Sequence, residues 1–309
     1  MTSKKEQAIV VSALKHAAPY IRLFKKKVFV IKAGGEIFAD PGQTSAFMEQ
    51  VGLLHQVGIR VVLIHGGGPQ STELAAALGL NTQFIEGRRV TDGASLDVAT
   101  MVLNGQINTR ILAACRDLQI PAVGMTRLDA GQIRAHQRPP VERDGEDAVD
   151  YGFVGDIDGV DADVLRKQLD NGLMPVVSPL SCDESGTLLN INADTVAAAI
   201  AAELDAEKLI LATGAAGILE DIKDPRSLIS YMDRAALKKL QESGSLADGM
   251  LPKSAAIDAA LANGVQRVHV ISYKLADSLL LEVFTNEGTG TLVVDDIAAL
   301  TPAEQGDGA

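Results

Sequence analysis

Two lysines, one aspartate and two glycine-rich loops are the parts of this chain whose residue types suit chemistry on an anion. Lys32 closes the apolar run Val28-Phe29-Val30-Ile31 and is followed by Ala33-Gly34-Gly35. An ammonium at the end of a buried strand is costly unless an anion meets it. Ile64-His65-Gly66-Gly67-Gly68-Pro69-Gln70 repeats the order of apolar run, then glycines. Glycine lets the backbone approach closely, so that successive N–H groups converge on phosphate oxygens beside a helix N-terminus. One such loop signals only a tight turn; two, one of them carrying a lysine, point to a phosphate site. Gly249-Met250-Leu251-Pro252-Lys253 sets a second lysine at a helix start, where the helix dipole disfavours a cation unless an anion is there too.

Asn190-Ile191-Asn192-Ala193-Asp194-Thr195 runs into an alanine-rich segment. Taken alone it reads as a turn with Asp194 as the helix N-cap. Beside two lysines, it reads as an aspartate that holds both, with Asn190 and Asn192 gripping an amide or carboxylate. Gly87-Arg88-Arg89-Val90-Thr91-Asp92 sets an arginine pair in a loop ahead of a helix. One of the pair suits a bidentate carboxylate clamp.

Parallel βα units would position these groups. Val28 to Ile31, Val61 to Ile64, Met174 to Ser178, Lys208 to Leu211 and Val268 to Ile271 read as buried strands, while Ala162 to Leu169, Asp194 to Leu204 and Lys253 to Ala262 read as helices. Phe47, Val51, Leu54 and Val57 recur at helical spacing between the first two strands. The Gly-, Pro-, Arg- and Asp-rich segment from Leu128 to Asp158 reads as hairpins or loops over one end of the sheet, where substrate lids lie. Ahead of the first strand, Val10, Leu14, Ala17, Ile21 and Phe24 share a helical face interrupted by Pro19, which predicts a kinked N-terminal helix. That helix either packs on its own domain or exchanges with a neighbouring subunit. The acidic tail from Asp295 to Ala309 is expected to fray.

At 309 residues and 47% hydrophobic, the chain can bury a large core in one large or two joined domains. Its net charge of −12 argues against nucleic acid or an anionic membrane as a partner. The widely separated Cys115 and Cys182 suit reduced thiols, not a disulfide framework or a metal site. Ala8 to Leu14 is short for a signal sequence and is followed by Lys15 and His16, so a cytoplasmic location is expected. Neither a P-loop nor the G-x-G-x-x-G dinucleotide or H-R-D and D-F-G kinase patterns occur.

The ordered landmarks resemble the amino-acid kinase superfamily, and within it N-acetylglutamate kinase. They are Lys32 to Gly35, His65 to Gln70, Arg89 to Asp92, Gly152 to Asp156, Asn190 to Thr195, Met250 to Lys253, Leu281 to Thr285 and Gly288 to Thr291. The resemblance implies an α/β fold, an open αβα sandwich with a mostly parallel central sheet. It divides the chain into a helical arm (1–27), an acyl-amino-acid half (28–206), a nucleotide half (207–294) and a tail (295–309). It further implies transfer of the γ-phosphoryl of ATP, with Mg2+, to the side-chain carboxylate of N-acetyl-L-glutamate. Lys32 and Lys253 would stabilise charge on the moving phosphoryl group, and Asp194 would orient them. Gly34, Gly35, Gly67, Gly68, Arg89, Asn190 and Asn192 would hold the substrate. Lys32, Gly34, Thr213, Gly217 and Lys253 would contact the nucleotide.

One departure is plain: family members carry Thr-Asp after the strand where this chain has Thr213-Gly214-Ala215-Ala216-Gly217. Losing a hydrogen bond to that carboxylate would weaken nucleotide contact by ~1.5–3 kcal/mol. The ends of the chain also resemble the kinase-like domain of bacterial N-acetylglutamate synthase. In both groups the N-terminal helix and the region of Tyr273, Glu282 and Gly288 resemble parts that build an L-arginine site and a homo-oligomer, dimeric or hexameric. The alternatives are therefore a catalytically silent arginine-sensing domain, or a kinase for N-acetyl-aminoadipate.

Overall fold

The alternating apolar runs assemble an eight-stranded sheet with helices on both faces, in a computed structural model that describes residues 3–299 apart from 86–87, 127, 130–132, 144–145, 222, 225, 245, 247 and 287. The chain begins with α1 (Lys4–Phe24), β1 (Val28–Ala33), α2 (Pro41–Gln56), β2 (Arg60–His65) and α3 (Gly68–Ala77). A short hairpin, β3 (Phe84–Ile85) with β4 (Arg88–Arg89), leads to α4 (Gly93–Thr100), a π-helical stretch Met101–Asn108, α5 (Thr109–Asp117) and β5 (Ala122–Met125). The expected hairpins follow as β6 (Ile133–Gln137), β7 (Val141–Arg143), β8 (Glu146–Val149) and β9 (Gly155–Val160), with the β7–β8 pair nested inside the β6–β9 pair. Then come α6 (Asp163–Asp170), β10 (Met174–Val177), β11 (Leu180–Cys182), β12 (Leu188–Asn190), α7 (Ala193–Glu203) and β13 (Lys208–Thr213). The chain continues through β14 (Tyr231–Asp233), α8 (Arg234–Glu242), α9 (Leu251–Ala262), β15 (Val268–Ser272), α10 (Ser278–Phe284) and β16 (Thr291–Val294).

The sheet order is β14-β16-β15-β13-β1-β2-β10-β5, and every pairing in it is parallel except β15 with β16. Alternate residues of one strand feed two cores. Val30 packs with Val62, Leu211, Ile200 and Ile257 on one face, while Phe29 and Ile31 pack with Val51, Leu63 and Ile111 on the other. This is the open αβα sandwich expected, its central strands apolar on both sides because both sides are covered. The two predicted halves, 28–206 and 207–294, meet at the β1–β13 pairing inside this sheet. From β1 the chain first winds toward β2 and later returns to β13 on the other flank, so a crevice opens at the carboxyl ends of β1 and β13.

Helix α1 runs unbroken through Pro19 and opens with a capping box between Ser3 and Glu6. Only Phe24 of its apolar face is buried; Val10 and Leu14 stay 67% and 64% exposed. Two expectations need correction. The cap of α7 is Asn192, not Asp194: Asn192 Oδ1 accepts from the Asp194 and Thr195 N–H groups, which frees the Asp194 carboxylate for other partners. The arginine pair lies on a short strand and not in a loop, although Gly87 falls outside the described residues. In the predicted tail, Ile297–Ala299 forms a short 3-10 turn, and residues 300–309 lie outside the described residues.

Candidate active site

Lys32, Asp194 and Lys253 come from β1, the first turn of α7 and the first turn of α9, and they converge on one atom. The Nζ atoms of Lys32 and Lys253 each lie 3.0 Å from Asp194 Oδ1. Asp194 and Lys253 are both 7% exposed. Burial pushes the Asp194 carboxyl up, but the ammoniums of Lys32 and Lys253 override it and hold it well below the usual carboxylate range. Lys253 is pulled below an ordinary lysine by burial first and by the Lys32 charge second, against the pull of Asp194. The cluster therefore carries two positive charges and one negative: a buried centre with one cation's worth of charge to offer an anion.

The two glycine loops are packed back to back beside this cluster. A Cβ on Gly35 would lie 2.8 Å from the Gly67 Cα, so each loop sets the position of the other. Gln70 fastens them by donating from Nε2 to the Gly35 carbonyl at 2.6 Å. His65, at the end of β2, is neutral: burial drives its pKa down to about 4, opposed by its bond to the Gly66 carbonyl. Its Nε2 faces Asn108 Nδ2 at 3.1 Å, and the same amide donates to the Val176 carbonyl at 3.0 Å, which ties the π-helical stretch to the second loop. Gly66, Gly67 and Gly68 line a cavity of about 240 Å3 together with Lys32 and Asp194, whereas Gly34 and Gly35 are not in its lining and pack against Gly66 and Gly67.

Arg89, Asn190 and Asn192 line the same cavity. Arg89 donates to the Gly68 carbonyl at 3.1 Å, to the Thr72 hydroxyl at 2.7 Å and to the Thr82 hydroxyl at 3.2 Å, and it stacks over Phe84. All of these partners are neutral, and burial lowers the guanidinium's proton affinity. Asn190 donates to the Thr91 hydroxyl at 3.3 Å. Arg138, which the sequence motifs left out, also lines this cavity, held by Asp156 across the β6–β9 hairpin. The legible signal was an opposite-charge pair in two segments expected to form a hairpin.

The remaining predicted residues lie elsewhere. Thr213 ends β13 beside β1, and its hydroxyl accepts from the Ala215 N–H at 2.9 Å. Gly217 is fixed by packing: a Cβ there would sit 2.6 Å from Leu228 Cδ1 and from Thr291 Oγ1. Neither lines the cavity that holds Arg89 and Asn190. Glu282 and Gly288 are together, the Glu282 carboxylate accepting from the Thr289 N–H at 2.6 Å and the Gly290 N–H at 3.2 Å and contacting His269 Nδ1 at 2.6 Å. Burial raises the Glu282 carboxyl, yet these partners bring it down to about 2. Tyr273 follows the end of β15, with its hydroxyl facing Gly214 and the charge of Glu36 nearby.

Residues 27–272 match the model of the amino acid kinase family. The acetylglutamate kinase of Myxococcus xanthus is 44% identical over 292 residues, covering 93% of this chain and 95% of its own length. The N-acetylglutamate synthase of Neisseria gonorrhoeae, solved with coenzyme A and N-acetyl-glutamate, is similar at a TM-score of 0.81 and 32% identity over 93% of this chain. The same synthase solved with coenzyme A and L-arginine gives 0.81 at 30% identity. This chain spans 63% and 65% of those two chains.

Proposed function

The chain belongs to the amino acid kinase family, among the acetylglutamate kinases, and from that premise we propose that it transfers the γ-phosphoryl group of ATP to the side-chain carboxylate of N-acetyl-L-glutamate, giving an acyl phosphate. The convergence of Lys32 and Lys253 on buried Asp194, beside a cavity lined by Lys32, Asp194 and the second glycine loop, carries this reading. Phosphoryl transfer asks for alignment of nucleophile and leaving group and for neutralisation of charge on the moving group. The acceptor carboxylate is already ionised at neutral pH and needs no general base.

Arg89, with no carboxylate partner among the described residues, takes the substrate's α-carboxylate, and Asn190 takes its acetamide. The side-chain carboxylate then points toward the glycine loops. Lys32 and Lys253 swing from Asp194 toward the phosphoryl oxygens; an arriving anion restores the proton affinity that burial takes from Lys253. Asp194 keeps both ammoniums from drifting while the charge passes from nucleotide to acceptor. Mg2+ would travel with the nucleotide's phosphates. Among the described residues no group of three His, Cys, Asp or Glu side chains forms a metal site, and Asp194 is taken by two ammoniums. The charge neutralisation that this chain supplies is therefore its own lysines'.

Finer readings belong to the same proposal. The exposed apolar face of α1 suits a homo-oligomer, dimeric or hexameric. A cytoplasmic location is part of the proposal; no described helix is long and apolar enough to cross a membrane. L-Arginine regulation near Glu282 and Gly288 is supported by the arginine complex of the Neisseria synthase; an arginine there would compete with His269 for Glu282. One methylene of acceptor length is worth only ~1–3 kcal/mol, so N-acetyl-aminoadipate is the competitor to test. A coupled assay of ADP release decides: release that requires N-acetyl-L-glutamate and exceeds that with N-acetyl-aminoadipate supports the proposal. Absence of any acceptor-dependent ADP contradicts it and favours the silent regulatory domain.

A further inference from the structure

Two guanidiniums line the acceptor cavity, and they differ in charge balance. Arg89 rests on hydroxyls, a carbonyl and a ring, so its full positive charge faces the cavity. Arg138 is held side-on by Asp156, donating from Nε to Oδ2 at 2.9 Å and from Nη2 to Oδ1, while its Cζ lies 5.6 Å from the Tyr151 ring centre. Neither bond uses its Nη1. The side chain is largely buried, at 14% exposure, so the pair is held in place. A neutralised guanidinium of this kind offers N–H donors without a free charge, which suits a neutral carbonyl oxygen better than a second carboxylate.

We propose that Arg138, locked by Asp156, is a specificity-determining residue that receives the acyl carbonyl oxygen of the acceptor and so selects N-acylated over free amino acids. This rests on the function proposed above. A free amino acid lacks that acceptor and instead brings an α-ammonium into a cavity that already faces the charge of Arg89. Both Asp156 oxygens are engaged by Arg138, so the ammonium finds no carboxylate there to balance it. Arg89 alone would bind the α-carboxylate of either molecule; the second arginine supplies the distinction.

The test compares wild type, Arg138→Gln and Arg138→Lys by calorimetric titration of N-acetyl-L-glutamate and by kinetics with N-acetyl-L-glutamate and L-glutamate. Thermal melts confirm that each variant folds. Arg138→Gln is expected to weaken N-acetyl-L-glutamate binding about tenfold or more, the scale of one lost hydrogen bond to a charged donor, with kcat within about threefold. The preference for the acylated acid should shrink by the same factor, and Arg138→Lys, which cannot form the side-on two-bond pair with Asp156, should not restore it. Unchanged binding and unchanged preference in Arg138→Gln, beside an active wild type, overturn the role of Arg138 and leave the proposed reaction standing. Wild type that neither binds nor phosphorylates N-acetyl-L-glutamate overturns both.

Discussion

Replacing Asp194 with Asn deletes the one negative charge in the buried cluster while keeping its shape. Lys32 and Lys253 each sit 3.0 Å from the same oxygen and so are at most twice that distance apart. At about 5 Å and an effective dielectric near 20, two ammoniums repel by about 3 kcal/mol. Breaking a buried ion cluster by removing one partner costs about 3–5 kcal/mol. With an unfolding entropy of about 2.1 cal/mol/K per residue over a chain of this length, that is a fall of about 5–8 °C in melting temperature. The variant should also respond to pH in a particular direction. Lys253 is already depressed below an ordinary lysine by burial and by Lys32, and removing Asp194 depresses it further. Between its folded value and its unfolded value the unfolded chain binds more protons, so the stability of Asp194→Asn must rise with pH on the alkaline side, up to the ordinary lysine value of about 10.5. Turnover should fall about 10²–10³-fold, the scale of losing one preorganised electrostatic contact. Thermal melts across that pH range, with kcat at each point, provide the assay. A variant as stable as wild type at pH 7, with no rise toward alkaline pH, would refute the charge coupling of the three side chains.

Arg89→Ala should raise KM for the acyl amino acid about 10–100-fold, the loss of one charge-assisted contact of ~1.5–3 kcal/mol, with little change in kcat; steady-state kinetics with varied acceptor checks it. Gly35→Ala should cost most of the turnover, because its Cβ would meet the Gly67 Cα at 2.8 Å and push the two loops apart; an alanine variant with wild-type kcat would show that the loops have slack. Acid should destabilise the fold well before carboxylates titrate. Burial holds both His65 and His269 down to about 4, with the Lys208 charge adding to it at His269. The unfolded chain then binds more protons between 4 and 6.5, and stability falls with falling pH by about 3 kcal/mol per histidine. Glu282, lowered to about 2, contributes stability that is complete above 4.5 and is lost as pH drops toward 2. Denaturant melts that stay flat from pH 6.5 to 4 would contradict both histidine assignments.

The cluster of Lys32, Asp194 and Lys253 was legible because each lysine stands where a cation is unwelcome, one at the end of an apolar strand and one at a helix N-terminus. Strand positions were legible for the same reason that both cores form: residues such as Val30 and Ile31 are apolar on successive faces. Strand order was not, since the pairing of β1 with β13 joins segments far apart in the chain. Asn192 and Asp194 are both good helix caps, and only the extended backbone of Asn192 decides between them. Arg138 escaped notice because its role depends on Asp156, across a hairpin whose register shifts at Arg134 and Ala135. Tyr273 was joined to Glu282 and Gly288 by the resemblance alone; Glu282 meets His269 near the start of β15, and Tyr273 follows the end of that strand.

Trapping the acyl phosphate with hydroxylamine tests the central claim most directly. Wild type supplied with ATP and N-acetyl-L-glutamate should yield the hydroxamate of the side-chain carboxylate, and Lys32→Met and Lys253→Met should each remove nearly all of it while still binding the acceptor by calorimetry. Hydroxamate formed at wild-type rates by either folded variant would contradict the account.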